Sequence, residues 1–132
     1  MNIALLGIGV VVAGLANWFL GALWYSAMLF GKKWLELGKV QINPNNMKSA
    51  MMHGLIIALV MSAVMAYLMN HFQITSIASS ICFAFALWLG FVATITAYSV
   101  IYENKSRELY LLNNGYNLLG MVLTAIILTF FI

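Results

Sequence analysis

Charged residues are scarce in this sequence. Of its 132 residues, 6 are lysine or arginine and 3 are aspartate or glutamate, so 7% of the chain is charged. Soluble domains average about 25% charged residues, whereas this chain is 64% hydrophobic. The shortage of charge excludes an ordinary soluble domain. The net charge of +3 is small, and we expect no nucleic-acid partner.

The chain has a single cysteine, and it has no acidic residue inside an apolar stretch. Cys82 is the one cysteine, which excludes a disulfide within the chain. Glu36, Glu103 and Glu108 lie outside the apolar stretches, which argues against a carrier that moves protons through a carboxylate in the membrane. No stretch combines a nucleophile with a base and an orienting acid, or spaces ligands for zinc. We therefore predict no catalytic residue, no metal and no cofactor, and favour a protein that is not an enzyme.

Long apolar stretches are what the chain does have. A helix needs about 20 apolar residues to cross ~30 Å of hydrocarbon, and four stretches reach that length. We predict transmembrane helices at about 3–28, 47–70, 76–101 and 109–132. Together they fill most of the chain. The predicted fold class is all-α, a four-helix bundle in the lipid bilayer that forms one domain, residues 1–132.

Lysine and arginine are confined to two connections. Four lysines surround the first connection and Lys105 and Arg107 lie in the third, whereas the middle connection, 71–75, and both termini have neither. Because basic loops stay in the cytoplasm, we expect both termini on the outer side of a bacterial inner membrane. A cleaved signal peptide is disfavoured, since the first lysines follow the apolar run rather than precede it.

Local signals predict how the helices begin, end and connect. Lys32 to Leu37 is predicted to form a short helix in the membrane interface, ended by Gly38. Asn45 or Asn46 is expected to cap the second helix and Ser106 the fourth, because their short side chains accept hydrogen bonds from free N–H groups. The very short middle connection predicts that helices two and three are antiparallel neighbours.

Small residues recur at every fourth position of the second helix. This small-residue stripe consists of Ala50, Gly54, Ala58, Ser62 and Ala66. Small residues let helices approach closely in lipid, so the stripe, and Gly21 in the first helix, are predicted packing surfaces. The sequence leaves open whether the stripe contacts its own bundle or another chain. The stripe supports the prediction of a homo-oligomer. It also supports an alternative function for the protein, an assembly module that docks a partner helix.

Polar side chains are concentrated in the half of the bundle that bears the lysines. A rise of about 1.5 Å per residue puts Asn17 near the midplane and Asn117 and His53 about 10–14 Å inside the basic surface. Unpaired polar groups in hydrocarbon cost several kcal/mol, so these side chains should face inward. We expect a convergent set in a pocket open to the cytoplasm, formed by Asn17, Tyr25, His53, Tyr98, Asn113 and Asn117.

Two interpretations of this polar set are open. The pocket would bind or pass a small or lipid-like ligand, or the asparagines would do no more than join helices through hydrogen bonds. Asn113 and Asn117 are four residues apart and so share a helix face, whereas Asn114 and Tyr116 are predicted to point elsewhere. A cavity would favour the first interpretation, and mutual hydrogen bonds without a cavity the second.

Two blocks of sequence are unusual: LWYSAMLFGKKW at 23–34, and LGFVAT at 89–94 with LLNNGYNLLG at 111–120. Both blocks resemble a family of small bacterial membrane proteins, DUF1761. The chain has Ala27 where members tend to have proline, and Asn114 where they tend to have alanine. The resemblance implies an integral membrane protein with four helices, and it brings no activity, substrate or cofactor.

Overall fold

The structure, a computed structural model, describes residues 2–39 and 43–132. In this part of the chain there are five helices and no strand. The helices are α1 (Ile3–Trp24), α2 (Gly31–Gly38), α3 (Pro44–His71), α4 (Ile77–Tyr102) and α5 (Arg107–Thr129). All except α2 are long and apolar enough to cross a membrane. The prediction of an all-α protein with four transmembrane helices is therefore confirmed, with helix ends that differ from the predicted ones by a few residues.

The first helix ends earlier than predicted, at Trp24. The Ser26 hydroxyl donates to the Leu23 carbonyl (2.6 Å), and the Gly31 N–H donates to the Ser26 carbonyl (2.9 Å), so the backbone turns back. A Cβ on Gly31 would lie 2.5 Å from the Tyr25 carbonyl oxygen, so the turn leaves no room for a side chain at this position. The same turn starts α2 at Gly31.

The predicted caps are right for α5 and wrong for α3. Ser106 accepts hydrogen bonds from two N–H groups in the first turn of α5, at 3.2 and 3.3 Å. Asn43, rather than Asn45 or Asn46, caps α3, and its Oδ1 accepts from the Asn45 N–H (3.0 Å). Pro44 starts that helix with a preset backbone angle and no N–H to satisfy, so the cap moves to the residue before it.

The predicted short helix is present as α2, but its end differs from the prediction. The residue with left-handed backbone geometry is Lys39 (φ 50°) rather than Gly38, and its N–H donates to the Leu35 carbonyl. Residues 40–42, in the centre of the predicted first connection, lie outside the described residues. Lys39 thus takes a conformation that glycine and asparagine adopt more readily.

The four long helices form a bundle that is open on one side. α1 packs against both α3 and α5, and α4 packs against α5. In the described residues α3 and α4 barely contact each other, so the short connection between them does not make them packed neighbours as predicted. An apolar lateral groove of about 450 Å³ separates them, with Met121 of α5 at its base. α5 contacts both α3 and α4, so these two helices are joined through α5 rather than packed on each other.

The apolar core lies in the half of the bundle away from the lysines. Its buried members are contributed by all four long helices, and they are Ala13, Met65, Ala66, Met69, Ala84, Met121, Ala125 and Leu128. The hydrogen bonds between α1 and α5 lie in the other half, toward α2. That half contains most of the residues considered for a functional site.

Candidate functional site

Four side chains join α1 and the residue after it to α5 through hydrogen bonds. This polar cluster consists of Asn17, Tyr25, Asn113 and Tyr116. The Tyr25 hydroxyl donates to Asn113 Oδ1 (2.7 Å), and the Tyr116 hydroxyl lies 3.1 Å from Asn17 Oδ1 and 3.2 Å from the Asn17 carbonyl oxygen. The two tyrosine rings meet edge to face with centroids 5.5 Å apart. The hydroxyls and amide oxygens are therefore paired with one another across the helix interface.

Two glycines make room for the polar cluster. A Cβ on Gly21 would lie 2.8 Å from the Tyr116 hydroxyl oxygen, and a Cβ on Gly120 would collide with Asn17 Oδ1. Each helix thus offers a glycine to a polar side chain of the other helix. Small residues allow this close approach, which explains why Gly21 of α1 lies in the contact with α5.

Trp24 closes the polar cluster on the side toward α2. Its Nε1–H donates to the Leu112 carbonyl of α5 (3.2 Å), and its ring lies 6.5 Å from that of Tyr116. A Cβ on Gly115 would be 3.2 Å from the indole ring, so this contact is also tight. The indole therefore fixes the C-terminal end of α1 against α5.

A second buried network surrounds Asn114, which is 3% exposed. Its Nδ2 donates to the Tyr110 carbonyl (3.0 Å), its Oδ1 accepts from the Thr96 hydroxyl (3.2 Å), and its carbonyl accepts from Trp88 Nε1 (3.1 Å). The Tyr110 hydroxyl donates to the carbonyl of Ala93 (2.7 Å). Ala93 ends the π-helical segment Trp88–Ala93 of α4. Such segments lack the regular α-helical bonding pattern, and here the Tyr110 side chain of α5 supplies a partner for the Ala93 carbonyl.

The structure does not bring all six predicted site residues together. Asn17, Tyr25 and Asn113 lie in the polar cluster. His53 is exposed on α3, with its Nδ1 2.7 Å from the Ser49 carbonyl oxygen of the same helix. Tyr98 is 59% exposed on α4. The expected convergence is therefore wrong for His53 and Tyr98, because their helix faces point out of the bundle.

Three further residues depart from the predicted arrangement. Asn117 is partly buried, and its amide makes no hydrogen bond with any described residue. Tyr116 and Asn114, which were predicted to point elsewhere, both make bonds between helices. Tyr116 could have been found from the sequence, since it lies three residues after Asn113 and so shares its helix face. Asn114 required knowledge that α4 packs on the adjacent face.

The small-residue stripe of α3 is mostly used inside the chain. Ala58, Ser62 and Ala66 are buried, whereas Ala50 is exposed and Gly54 is partly exposed. The Ser62 hydroxyl donates to the Val10 carbonyl of α1 (2.9 Å). The sequence leaves open whether the stripe contacts its own bundle or another chain, and the structure places its three buried members inside the bundle. The homo-oligomer stays a prediction.

A cleft opens at the end of the bundle that bears the lysines, between α2 and the connection from α4 to α5. This interfacial cleft has a volume of about 590 Å³. It is lined by Trp34, Leu37, Gly38, Lys39, Asn104, Lys105, Ser106 and Leu109. One part of the lining is apolar and another carries two ammonium groups. The sequence predicts the short helix but not this cleft, because residues 104–109 are far from that helix in the chain and meet it only through folding.

Contacts on α2 tie the interfacial cleft to the bundle. The Trp34 ring lies 5.0 Å from that of Tyr25, which bonds Asn113 of α5. Lys33 Nζ lies 3.5 Å from Glu108 Oε2 at the start of α5. This ion pair is exposed and is expected to contribute little, whereas an aromatic pair contributes about 0.5–1.5 kcal/mol beyond its buried area. The polar cluster thus holds in place one wall of the cleft.

The comparison with protein families agrees with this architecture. Residues 8–129 match the family described as a protein of unknown function, DUF1761. The chain belongs to this family. The match includes the polar cluster, α2 and all residues that line the interfacial cleft, and it confirms the resemblance seen in the sequence. No curated protein and no solved structure matches the chain. The DUF1761 assignment specifies no activity.

Proposed function

We propose that this DUF1761 protein binds a lipid-like ligand in the interfacial cleft and performs no covalent chemistry on it. The observation that carries the proposal is the mixed lining of the cleft. Trp34, Leu37 and Leu109 offer apolar surface, whereas Lys39 and Lys105 offer positive charge. A lipid-like molecule presents an apolar chain beside a polar headgroup and matches both parts, as ligand sites generally combine apolar walls with a few polar groups.

The contacts beneath the cleft support a site that is formed before the ligand arrives. Trp34 packs on Tyr25, whose hydroxyl bonds Asn113 (2.7 Å). Ligand sites are usually largely preformed, because ordering a site during binding costs affinity. The polar cluster therefore acts as a support for the site. In this respect the proposal differs from the sequence expectation, which put the ligand among the asparagines.

We further propose that the cleft faces the cytoplasm of a bacterial inner membrane. The six lysine and arginine residues of the sequence lie in the first and third connections or next to them, and the other end has none. Basic connections are retained in the cytoplasm during membrane insertion. The ligand would then enter from the inner leaflet or the cytoplasm.

Retention of phospholipid by the purified protein tests the lipid-binding function. A double variant, Leu37→Gln with Leu109→Gln, makes the apolar part of the cleft polar. Native mass spectrometry in a mild detergent, with an added equal mixture of phosphatidylglycerol and phosphatidylcholine, should show fewer retained lipids than for the unmodified protein. Leu119→Gln is the matched control, since Leu119 is 48% exposed on α5 and lies outside the cleft. Equal retention by the double variant and the control would contradict the proposal.

A further inference from the structure

We infer that the interfacial cleft selects a phospholipid with an anionic headgroup over one with a zwitterionic headgroup. This inference rests on the proposed function and adds the charge class of the ligand. Lys39 and Lys105 both line the cleft, and none of the described residues in its lining is acidic. Ammonium groups attract phosphate oxygens as donors of charged hydrogen bonds, and basic residues near a membrane surface favour anionic lipids.

The ion pair of Lys105 does not cancel this charge. Lys105 Nζ lies 3.4 Å from Glu103 Oε2, but both side chains are more than half exposed, at 58% and 61%. Exposed pairs of this kind are weak and are screened by salt. A phosphate in the cleft can therefore compete with Glu103 for the ammonium group.

The position of Lys39 at the end of α2 is a second feature of this residue. Its φ of 50° is left-handed, a conformation that favours glycine or asparagine. Any residue other than proline could donate the backbone N–H that bonds the Leu35 carbonyl, so the cap itself does not require a lysine. The positive charge of the lysine suits the C-terminal end of a helix, and Lys39 also lies in the lining of the cleft.

The apolar part of the cleft identifies the source of the phosphate as a lipid rather than a free ion. Trp34, Leu37 and Leu109 are partly buried and lie in the same cleft as the lysines. A free phosphate would leave this surface uncovered, whereas the glycerol and upper acyl chain of a phospholipid would cover it. Covering apolar surface is favourable, so the occupant that matches the whole cleft is a phospholipid.

Titration with two lipids that differ in headgroup tests this charge selectivity. The purified protein in mild detergent is titrated with phosphatidylglycerol or phosphatidylcholine of identical acyl chains, and binding is read by native mass spectrometry. Phosphatidylglycerol should bind more tightly. Lys39→Asn and Lys105→Gln should each weaken its binding about fivefold and leave phosphatidylcholine unchanged. Asparagine suits the left-handed position, so Lys39→Asn keeps the fold intact.

Lys48→Asn is the matched control, because it removes the same charge from the same end of the bundle but outside the cleft. It should leave the preference unchanged. If Lys48→Asn weakened phosphatidylglycerol binding as much as the cleft variants do, the preference would come from general surface charge and the inference would be overturned. Displacement of the lipid by equimolar inorganic phosphate would also overturn it. Equal binding of the two lipids, still sensitive to Leu37→Gln with Leu109→Gln, would overturn the inference and leave the proposed function standing. Insensitivity to that double variant would overturn both.

Discussion

The amide oxygen of Asn17 occupies the space that a Cβ on Gly120 would need. Asn17 lies in the middle part of α1, is 6% exposed and accepts a hydrogen bond from Tyr116 of α5 (3.1 Å). A buried polar side chain in lipid requires a partner close enough to bond it. The missing side chain at Gly120 is what brings the two helices close enough to meet this requirement.

Gly120→Ala should therefore destabilise the bundle. The added methyl group collides with the Asn17 amide, and overpacking in a tight contact typically costs about 1–3 kcal/mol. Unfolding of the purified protein in mixed micelles with increasing SDS measures the change. Gly7→Ala is the control on α1, since a Cβ there has no atom within 4 Å, and it should be neutral or stabilising. A Gly120→Ala variant as stable as the control would contradict the close contact.

The hydrogen bond between Tyr25 and Asn113 should contribute a small, measurable coupling energy. Bonds of this kind between membrane helices average about 0.6 kcal/mol and reach about 1.7 kcal/mol. A double-mutant cycle with Tyr25→Phe and Asn113→Ala, read by the same unfolding measurement, should fall in that range. The control cycle pairs Tyr25→Phe with Asn117→Ala, because the Asn117 amide bonds no described residue. Its coupling should be near zero, and equal coupling in both cycles would refute a specific bond.

The sequence predicts how deep a polar residue lies in the membrane, but not which helix face meets a neighbour. The sequence puts Asn17 and Asn113 in the half of the bundle that bears the lysines, and the structure brings both into the polar cluster. It puts His53 in the same half, yet the face of α3 that carries His53 points outward. Depth follows from counting residues along one helix. The direction of a face depends on how the helices are arranged, which composition and spacing do not specify.

The interfacial cleft illustrates the same limit. Trp34 and Lys39 could be assigned to the membrane interface because aromatic and basic residues concentrate there. Their proximity to Lys105 depends on the packing of α2 against α5. The small-residue stripe likewise predicted a packing surface for α3, whereas its partner, α1, followed from the three-dimensional structure.

Tyr110→Phe should loosen the π-helical segment of α4. The variant removes the hydroxyl that donates to the Ala93 carbonyl (2.7 Å). Loss of a hydrogen bond of this type costs about 1 kcal/mol. Unfolding in SDS should report the loss of stability, and hydrogen exchange should rise at the amides of 88–96. Tyr102→Phe serves as the control, because Tyr102 is 76% exposed. Unchanged exchange in Tyr110→Phe would show that this bond does not hold the segment.

The orientation of the bundle can be tested with cysteines at its two ends. Lys39 lies at the end that bears the lysines, and Gln73 lies in the connection between α3 and α4 at the other end. In a Cys82→Ala background, Lys39→Cys and Gln73→Cys provide a matched pair of positions. We expect a membrane-impermeant thiol reagent to label position 73 and not position 39 in intact bacteria, and both positions after lysis.

The physical basis of this expectation is the cost of moving basic residues across the membrane. A lysine or arginine at the centre of a membrane helix costs about 2.5–3.5 kcal/mol on insertion scales, and the positive-inside rule follows the number of such residues in short loops. Six lie at one end and none at the other. An enzyme that folds only in the periplasm should therefore be active when fused after Ile132. Labelling of position 39 from outside, or an inactive fusion, would place the interfacial cleft on the outer surface instead.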